Sequence, residues 1–395
     1  MRADRRRVAA ALALGATFAG IGYAAFAIVR LRAFGRRTMV QAEHSARVRT
    51  ERSGTSVPTT RSRHRVTVLK PVRGAEPGLA ENLHSFCAQD YPDFHVVLGV
   101  LSPDDEALDV IQRVAAEFPD RTTVVAGDGV ARFRNPKIAT LAPMIAHATG
   151  EILVIADSDM RVTPVYLDAV VEAFADERVG AVTCIYCGEP AADDVPSTLG
   201  AMWITEQFAP AALVAAAVEP MTYCFGGTMA VRASVFAEIG GLAALGNQLA
   251  DDATLGRLVT ERGYGVALAN YVVTNVVSES GLRGLLQHEL RWARTIRSVR
   301  PLSYAGLIVT FPVPLAALAL ALARRRRTPA FALVASVLAR LALHAAAHRA
   351  LATRRRPRAV LTLLRDVLGM ATWCAGFCGR TVLWRDQRLD VRQKL

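Results

Sequence analysis

Residues 8 to 29 read VAAALALGATFAGIGYAAFAIV, a run of 22 positions without one charged side chain. In hydrocarbon the amides of such a run have only each other as partners, so it can cross a bilayer only as a helix. Its length matches the roughly 20 residues that a span needs. It is long for a signal-peptide core and no small-residue cleavage site follows it, so residues 1–37 are expected to form an uncleaved membrane anchor.

Three further apolar stretches occupy residues 303–323, 328–348 and 359–379. They are interrupted by Pro312 and Pro314, by Arg340 with two histidines, and by Arg365 with Asp366. Some of them are therefore expected to be re-entrant or interfacial rather than spanning. Residues 301–395 read as membrane-associated helices with a basic tail.

The formal net charge of +12 is unevenly distributed. Residues 66–280 carry 12 Lys and Arg against 28 Asp and Glu, whereas the remainder carries 35 against 7. An acidic globular domain flanked by arginine-rich membrane segments fits this pattern, and a nucleic-acid partner does not. The runs RRRR (324–327) and RRRPR (354–358) would fall on opposite sides if every stretch crossed, so charge bias does not decide the topology. Six scattered cysteines include Cys184 and Cys187 at a two-residue gap without a second pair, which reads as buried thiols rather than a metal or disulfide framework. Free thiols fit a domain facing the cytosol.

After a polar linker over residues 38–64, strand-like and helix-like patterns alternate within residues 65–300. RVTVLKPV (65–72), FHVVLGVL (94–101), TTVVAG (122–127) and EILVIAD (151–157) read as strands, with helical spacing in residues 78–90, 105–118 and 135–148. This predicts an α/β domain with a largely parallel sheet covered by helices on both faces. Ligands in such folds gather beyond the carboxyl ends of the strands. Lys70, the pair Asp104 and Asp105, and the pair Asp157 and Asp159 all fall at such ends. Two acids separated by one residue can hold a divalent cation, directly or through water, together with substrate phosphates. Taken singly, each acid has an ordinary structural role as a turn former or helix cap.

The ordered set VLKPVRGAEPGLAENLHSFCAQDYP, SPDDEALDVI, RNPKIATL, ADSDMRV, ADDATLGRLVTERG and HELRWART resembles family-2 type, GT-A fold glycosyltransferases of the ceramide glucosyltransferase branch, over about residues 65 to 310. Within that branch it is most similar to bacterial hopanoid-biosynthesis-associated glycosyltransferases. The resemblance implies a Rossmann-like nucleotide-diphospho-sugar transferase domain with membrane helices at both ends of the chain. It implies that Asp104 or Asp105 meets the uridine end of a UDP-sugar and that Lys137 lies near the nucleotide, where Lys70, by its place at the end of the first strand, is also expected. Asp157, with Asp159, would bind Mg²⁺ or Mn²⁺ at the diphosphate, and Asp252, beside Asp251, would be the catalytic base. Arg291 and Trp292 match the Gln/Arg-x-x-Arg-Trp motif, whose first position is His288 in this chain. These three would serve the diphosphate or the acceptor, while Gly226 and Gly227 would line the acceptor side. The implied reaction is inverting transfer to a membrane-lipid hydroxyl, N-acetylglucosamine to a hopanoid polyol such as bacteriohopanetetrol, or alternatively glucose to ceramide. A processive polysaccharide synthase and an inactive lipid-binding homologue are the remaining alternatives. The expected location is the inner membrane, multi-pass, with the catalytic domain facing the cytoplasm.

Overall fold

The computed structural model describes residues 2–54, 64–379, 381–384 and 387–390. The chain opens with α1 (Arg2–Gly54). This helix continues through much of the segment read as a linker, because residues 38–54 are rich in helix-tolerant Ala, Gln, Glu and Arg and contain no proline. Residues 55–63 of that segment lie outside the described residues.

The alternating region follows as β1 (Val66–Val72), α2 (Leu79–Cys87), β2 (Phe94–Val100), α3 (Leu108–Glu117), β3 (Thr122–Ala126), α4 (Pro136–Met144), β4 (Ile152–Ile155), β5 (Met160–Arg161), α5 (Tyr166–Glu172) and β6 (Val179–Pro190). A long helix comes next: α6 (Val195–Trp203), a π-turn (Ile204–Phe208) and α7 (Ala209–Val218). Then come β7 (Met229–Arg232), α8 (Ala233–Glu238), α9 (Gly241–Leu245), α10 (Asp251–Glu261) and β8 (Gly265–Val277). The last part comprises α11 (Leu282–Val299), α12 (Pro301–Gly306), α13 (Pro312–Leu322), α14 (Arg327–Ala350), α15 (Leu361–Gly376), and the antiparallel pair β9 (Thr381–Trp384) and β10 (Gln387–Asp390).

These elements form two compact units. One comprises residues 36–186 and 219–278. Its sheet has the order β3-β2-β1-β4-β7-β6-β8-β5. The sheet is parallel from β3 to β4, but β7 runs antiparallel to β4 and to β6, and β5 antiparallel to β8. The largely parallel sheet expected from the sequence thus describes only the half built by βα alternation. The helices do cover both faces. Alternate residues of β1, β2 and β4, such as Val68, Val96 and Val154, pack with α2, α3 and α5, while Leu69, Val97 and Ile155 pack with α4, α8 and α10. A strand buried on both sides must be apolar at every position, which explains the continuous hydrophobic runs.

The other unit comprises residues 1–35, 187–218 and 279–393. Among the described residues, three helices are long and apolar enough to cross a membrane: Asp4–Gln41, Val195–Val218 and Arg327–Ala350. The segments Pro301–Thr310 and Pro312–Leu322 pass only as a pair, bent by 71° at Phe311. The bend falls before Pro312, whose ring disfavours helical backbone at the preceding residue. Helix α15, with 16 residues, is shorter than a span. The charges that interrupt these stretches are buried in pairs: Arg365 grips Glu289 with two bonds of 2.5 and 2.7 Å, and Arg340 Nε donates to Asp366 Oδ1 at 2.7 Å. The helix over Val195–Val218 is not among the membrane segments read from the sequence, where Glu206 and Gln207 break its apolar pattern.

Candidate active site

The loop after β4 carries Asp157, Ser158 and Asp159, and neighbouring groups hold its backbone. Lys70 projects from β1 and its ammonium donates to Asp157 O, while Asn82 of α2 donates to Ser158 O at 3.2 Å. Val276 N donates to Asp159 O at 2.8 Å. Lys70 is fully buried, with Nζ 3.9 Å from the Phe86 ring centroid. Burial pulls its pKa down to about 7 against the opposing pull of Asp159 and Asp157. Lys70 therefore acts on the loop itself, a tether beneath the strand end.

Asn135 caps α4. Its Oδ1 accepts from Lys137 N and Ile138 N at 2.9 and 3.3 Å, and Pro136 occupies the first turn. The same side chain donates to Gln248 O at 2.8 Å and to Asp251 Oδ1 at 3.4 Å, which joins the α4 start to the α10 start. Lys137 then lies between acids from two elements. Its Nζ is 2.6 Å from Asp157 Oδ1, 3.5 Å from Asp251 Oδ2 and 3.5 Å from Gly226 O. Burial alone would lower its pKa, but Asp157 and Asp251, with Asp252, raise it above the ordinary lysine value.

Gly226 closes the group. A Cβ at this position would lie 3.2 Å from Asp157 Oδ2 and 3.7 Å from Asp252 Oδ2. The two carboxylates thus face one small volume that only glycine leaves open. Burial and the adjacent Asp251 raise the Asp252 pKa to about 7, despite a 2.7 Å bond from Ala253 N to Asp252 Oδ1. Burial, with the charges of Asp157 and Glu76, likewise raises Asp159 to about 6. Asp159 Oδ2 accepts from Asn275 Nδ2 at 2.8 Å, whereas its buried Oδ1 has no hydrogen-bond partner among the described residues. A buried carboxylate oxygen without a donor is costly unless a cation compensates it. That orphaned oxygen and the neighbouring Asp157 offer hard oxygen ligands, so the residues fit a Mg²⁺ or Mn²⁺ ion.

The other candidates have contacts of their own. Asp105 Oδ1 accepts from Gly74 N at 2.8 Å and Ala107 N at 2.9 Å, bracing the loop before α3, while Asp104 is exposed. His288, Arg291 and Trp292 lie on α11, in the helical unit. There, His288 Nδ1 is 3.0 Å from Glu279 Oε1, and the Trp292 ring lies 4.0 Å from that of His288 and 4.6 Å from Trp203. Asn135, Asn275 and Glu289 were missed by sequence reasoning. Only Asn135 had a usable signal, an Asn-Pro start before a helical pattern. All six cysteines are free: four are buried, while Cys374 and Cys378 are exposed.

Residues 18–395 match the family profile described as glycosyl transferase family 21. Ceramide glucosyltransferase 3 of Caenorhabditis elegans is 25% identical over 259 residues, covering 62% of this chain and 56% of that protein. Ceramide glucosyltransferase of Gibberella zeae is 30% identical over 125 residues, or 29% of this chain and 24% of that protein. The chain spans about half the length of the curated relatives it matches first. Among solved structures, the mannosyltransferase PcManGT from Pyrobaculum calidifontis, in complex with GDP-Man and Mn²⁺, is 22% identical with a TM-score of 0.49, covering 90% of this chain and 99% of that one. The similarity announced by the ordered motifs, from VLKPVRG to HELRWART, is thus carried by a profile match over nearly the whole chain: the protein belongs to glycosyl transferase family 21.

Proposed function

We propose that this protein is a membrane-bound inverting glycosyltransferase that moves a sugar from a UDP-sugar to a hydroxyl of a membrane lipid. The observation that carries the reading is the convergence of Asp157, Asp251 and Asp252 around Lys137, opposite a glycine whose missing side chain leaves the space open. Asp252 is the base: near neutral pH its raised pKa gives it both a deprotonated fraction and real proton affinity. The acceptor oxygen forms its bond to the anomeric carbon as the bond to UDP breaks on the opposite face. The proton passes to Asp252, and the electron pair leaves with the diphosphate.

Lys137 holds Asp157 in position and balances negative charge beside the leaving group. Asp157 and Asp159 would hold a divalent cation, which when bound supplies Lewis-acid stabilisation of the departing diphosphate. Asp104 meets the uridine end, with Asp105 bracing its loop. His288, Arg291 and Trp292 serve the diphosphate or the acceptor from α11. The apolar helices hold the enzyme to the bilayer that dissolves its acceptor, in the inner membrane with the donor site on the cytoplasmic side. The domain limits that accompany this reading are an anchor over 1–37 and a GT-A domain over 65–300.

The preferred pair is N-acetylglucosamine and a hopanoid polyol such as bacteriohopanetetrol, a preference that rests on motif resemblance. Glucose and ceramide are the second reading, favoured by the ceramide glucosyltransferase relatives. Membranes from an expressing host, given each UDP-sugar with either lipid and analysed by mass spectrometry, test both. A glycosylated hopanoid from UDP-N-acetylglucosamine supports the first, glucosylceramide the second, and no glycolipid from any combination overturns the transferase reading.

A further inference from the structure

Among the described residues, one set of three metal-ligating side chains lies close enough together to share an ion, and it is not at the aspartate cluster. Glu206 from the π-turn and His344 and His348 from α14 have their ligand atoms within 4.8 Å of one another, and all three residues are buried. The histidines are four residues apart and so share a face of α14. Glu206 Oε1 lies 2.8 Å from His344 Nδ1 and 3.3 Å from His348 Nε2. A π-turn inside a helix disrupts the regular hydrogen-bond ladder and often marks a functional position.

Two features of the cluster call for a positive charge. The first is its balance. The Glu206 carboxylate is fully buried, and the nearest guanidinium, that of Arg340, is already engaged by Asp366 at 2.7 Å and reaches Glu206 only at 4.0 Å. Two carboxylates and one guanidinium leave one negative charge among apolar helices, which is costly unless compensated. The second is the tautomer of His348. Thr353 Oγ1 lies 2.7 Å from His348 Nδ1 and can accept a hydrogen bond from it. In the neutral tautomer protonated on Nδ1, the Nε2 lone pair points at a carboxylate oxygen 3.3 Å away. A metal ion between them relieves that opposition, and an imidazole whose other nitrogen is fixed by a neighbour is the usual form of a metal-bound histidine.

The donor set of two imidazoles and one carboxylate is that of three-ligand zinc sites, which keep a further position open. Bonds of about 2.0–2.1 Å at tetrahedral angles separate donors by roughly 3.3 Å, against 2.8 and 3.3 Å for the two carboxylate–imidazole pairs and at most 4.8 Å for the two imidazoles. His348 also lines a cavity of about 640 Å³ whose wall includes Asp194, Thr198 and three arginines, Arg355, Arg356 and Arg358. Water or an anionic oxygen ligand suits the open position.

We propose that Glu206, His344 and His348 form a transition-metal site for Zn²⁺ or an ion of similar preference, joining the π-turn to α14. The alternative is a hydrogen-bonded cluster with one imidazole doubly protonated. Full-length protein in detergent, stripped with chelator and titrated with Co²⁺, separates the two. The site predicts about one Co²⁺ per chain, visible ligand-field bands of a four- or five-coordinate ion, and their bleaching by Zn²⁺. His348→Ala and the isosteric Glu206→Gln should weaken binding at least about tenfold. Asp157→Asn should retain the bands, which distinguishes this ion from one at the diphosphate. Wild-type protein without the bands, or bands that survive in His348→Ala but vanish in Asp157→Asn, would overturn the assignment. The wild-type result decides even if a variant fails to fold.

Discussion

The substitution Gly226→Ala tests the active-site geometry most directly. Its Cβ would meet Asp157 Oδ2 at 3.2 Å and Asp252 Oδ2 at 3.7 Å. The first contact is tight by a few tenths of an ångström. Asp157 is 37% exposed and can yield by a small rotation, although that rotation loosens its 2.6 Å contact with Lys137. The expected cost to folding is at most about 1 kcal/mol, the lower end for an overpacked site. The cost to catalysis is larger, because the methyl group occupies the volume that both carboxylates face. A displacement of reacting groups approaching 1 Å costs about 10²-fold in rate, or about 2.7 kcal/mol of transition-state stabilisation. Glycolipid formation measured as kcat/KM, beside thermal unfolding followed by tryptophan fluorescence, separates the two effects. Gly15→Ala is the control, since nothing lies within 4 Å of its added Cβ. If Gly226→Ala stays within threefold of wild-type kcat/KM while remaining folded, the reacting atoms do not occupy that space.

Three further outcomes are expected. Asp252 has a folded pKa raised to about 7, so kcat/KM for wild type should fall about tenfold per pH unit below it and level off above; Asp252→Asn should lower the rate by about 10²–10⁴-fold and abolish that acid limb in a pH–rate profile. Asn135→Ala removes a cap and the link to Gln248 and Asp251, so it should cost about 1–2 kcal/mol of stability in denaturant titrations and lower kcat more than it raises KM. Asp159→Asn should raise the Mg²⁺ or Mn²⁺ concentration needed for half-maximal turnover by about 10–100-fold, while chelation silences the wild type and added cation restores it.

The four strands β1 to β4 and the helices α2 to α4 were legible because each strand end and helix start carries local chemistry: Pro71 near the end of β1, Asn135 and Pro136 opening α4. The antiparallel half was not, since pairing of β4 with β7 joins residues 74 to 80 positions apart and leaves no periodic mark. Candidate residues divide along the same line. Asp157 and Asp252 stood out in the sequence because they fall in the motifs that resemble the family's. Lys70 at a strand end looked like a ligand, yet tethers the loop, because the direction of a side chain in a sheet buried on both faces depends on what packs there. Asp105 became a brace once Gly74 was brought beside it.

Sequence alone determined that part of this chain is apolar enough to cross a bilayer and part forms an acidic α/β domain, because hydrophobic length, charge partition and βα alternation are local quantities summed along the chain. It also determined which acids to examine, through an ordered set of motifs too specific to arise from composition. Tertiary structure decided which acids meet. Asp157, Asp251 and Asp252 share Lys137 only because the β4 end, the α4 cap and the α10 start converge. It also decided what the interruptions mean. Arg340 and Arg365 looked like flaws in apolar helices; each has a buried carboxylate within reach, since a charge in such surroundings persists only where a partner compensates it, and the two histidines of α14 meet Glu206 there.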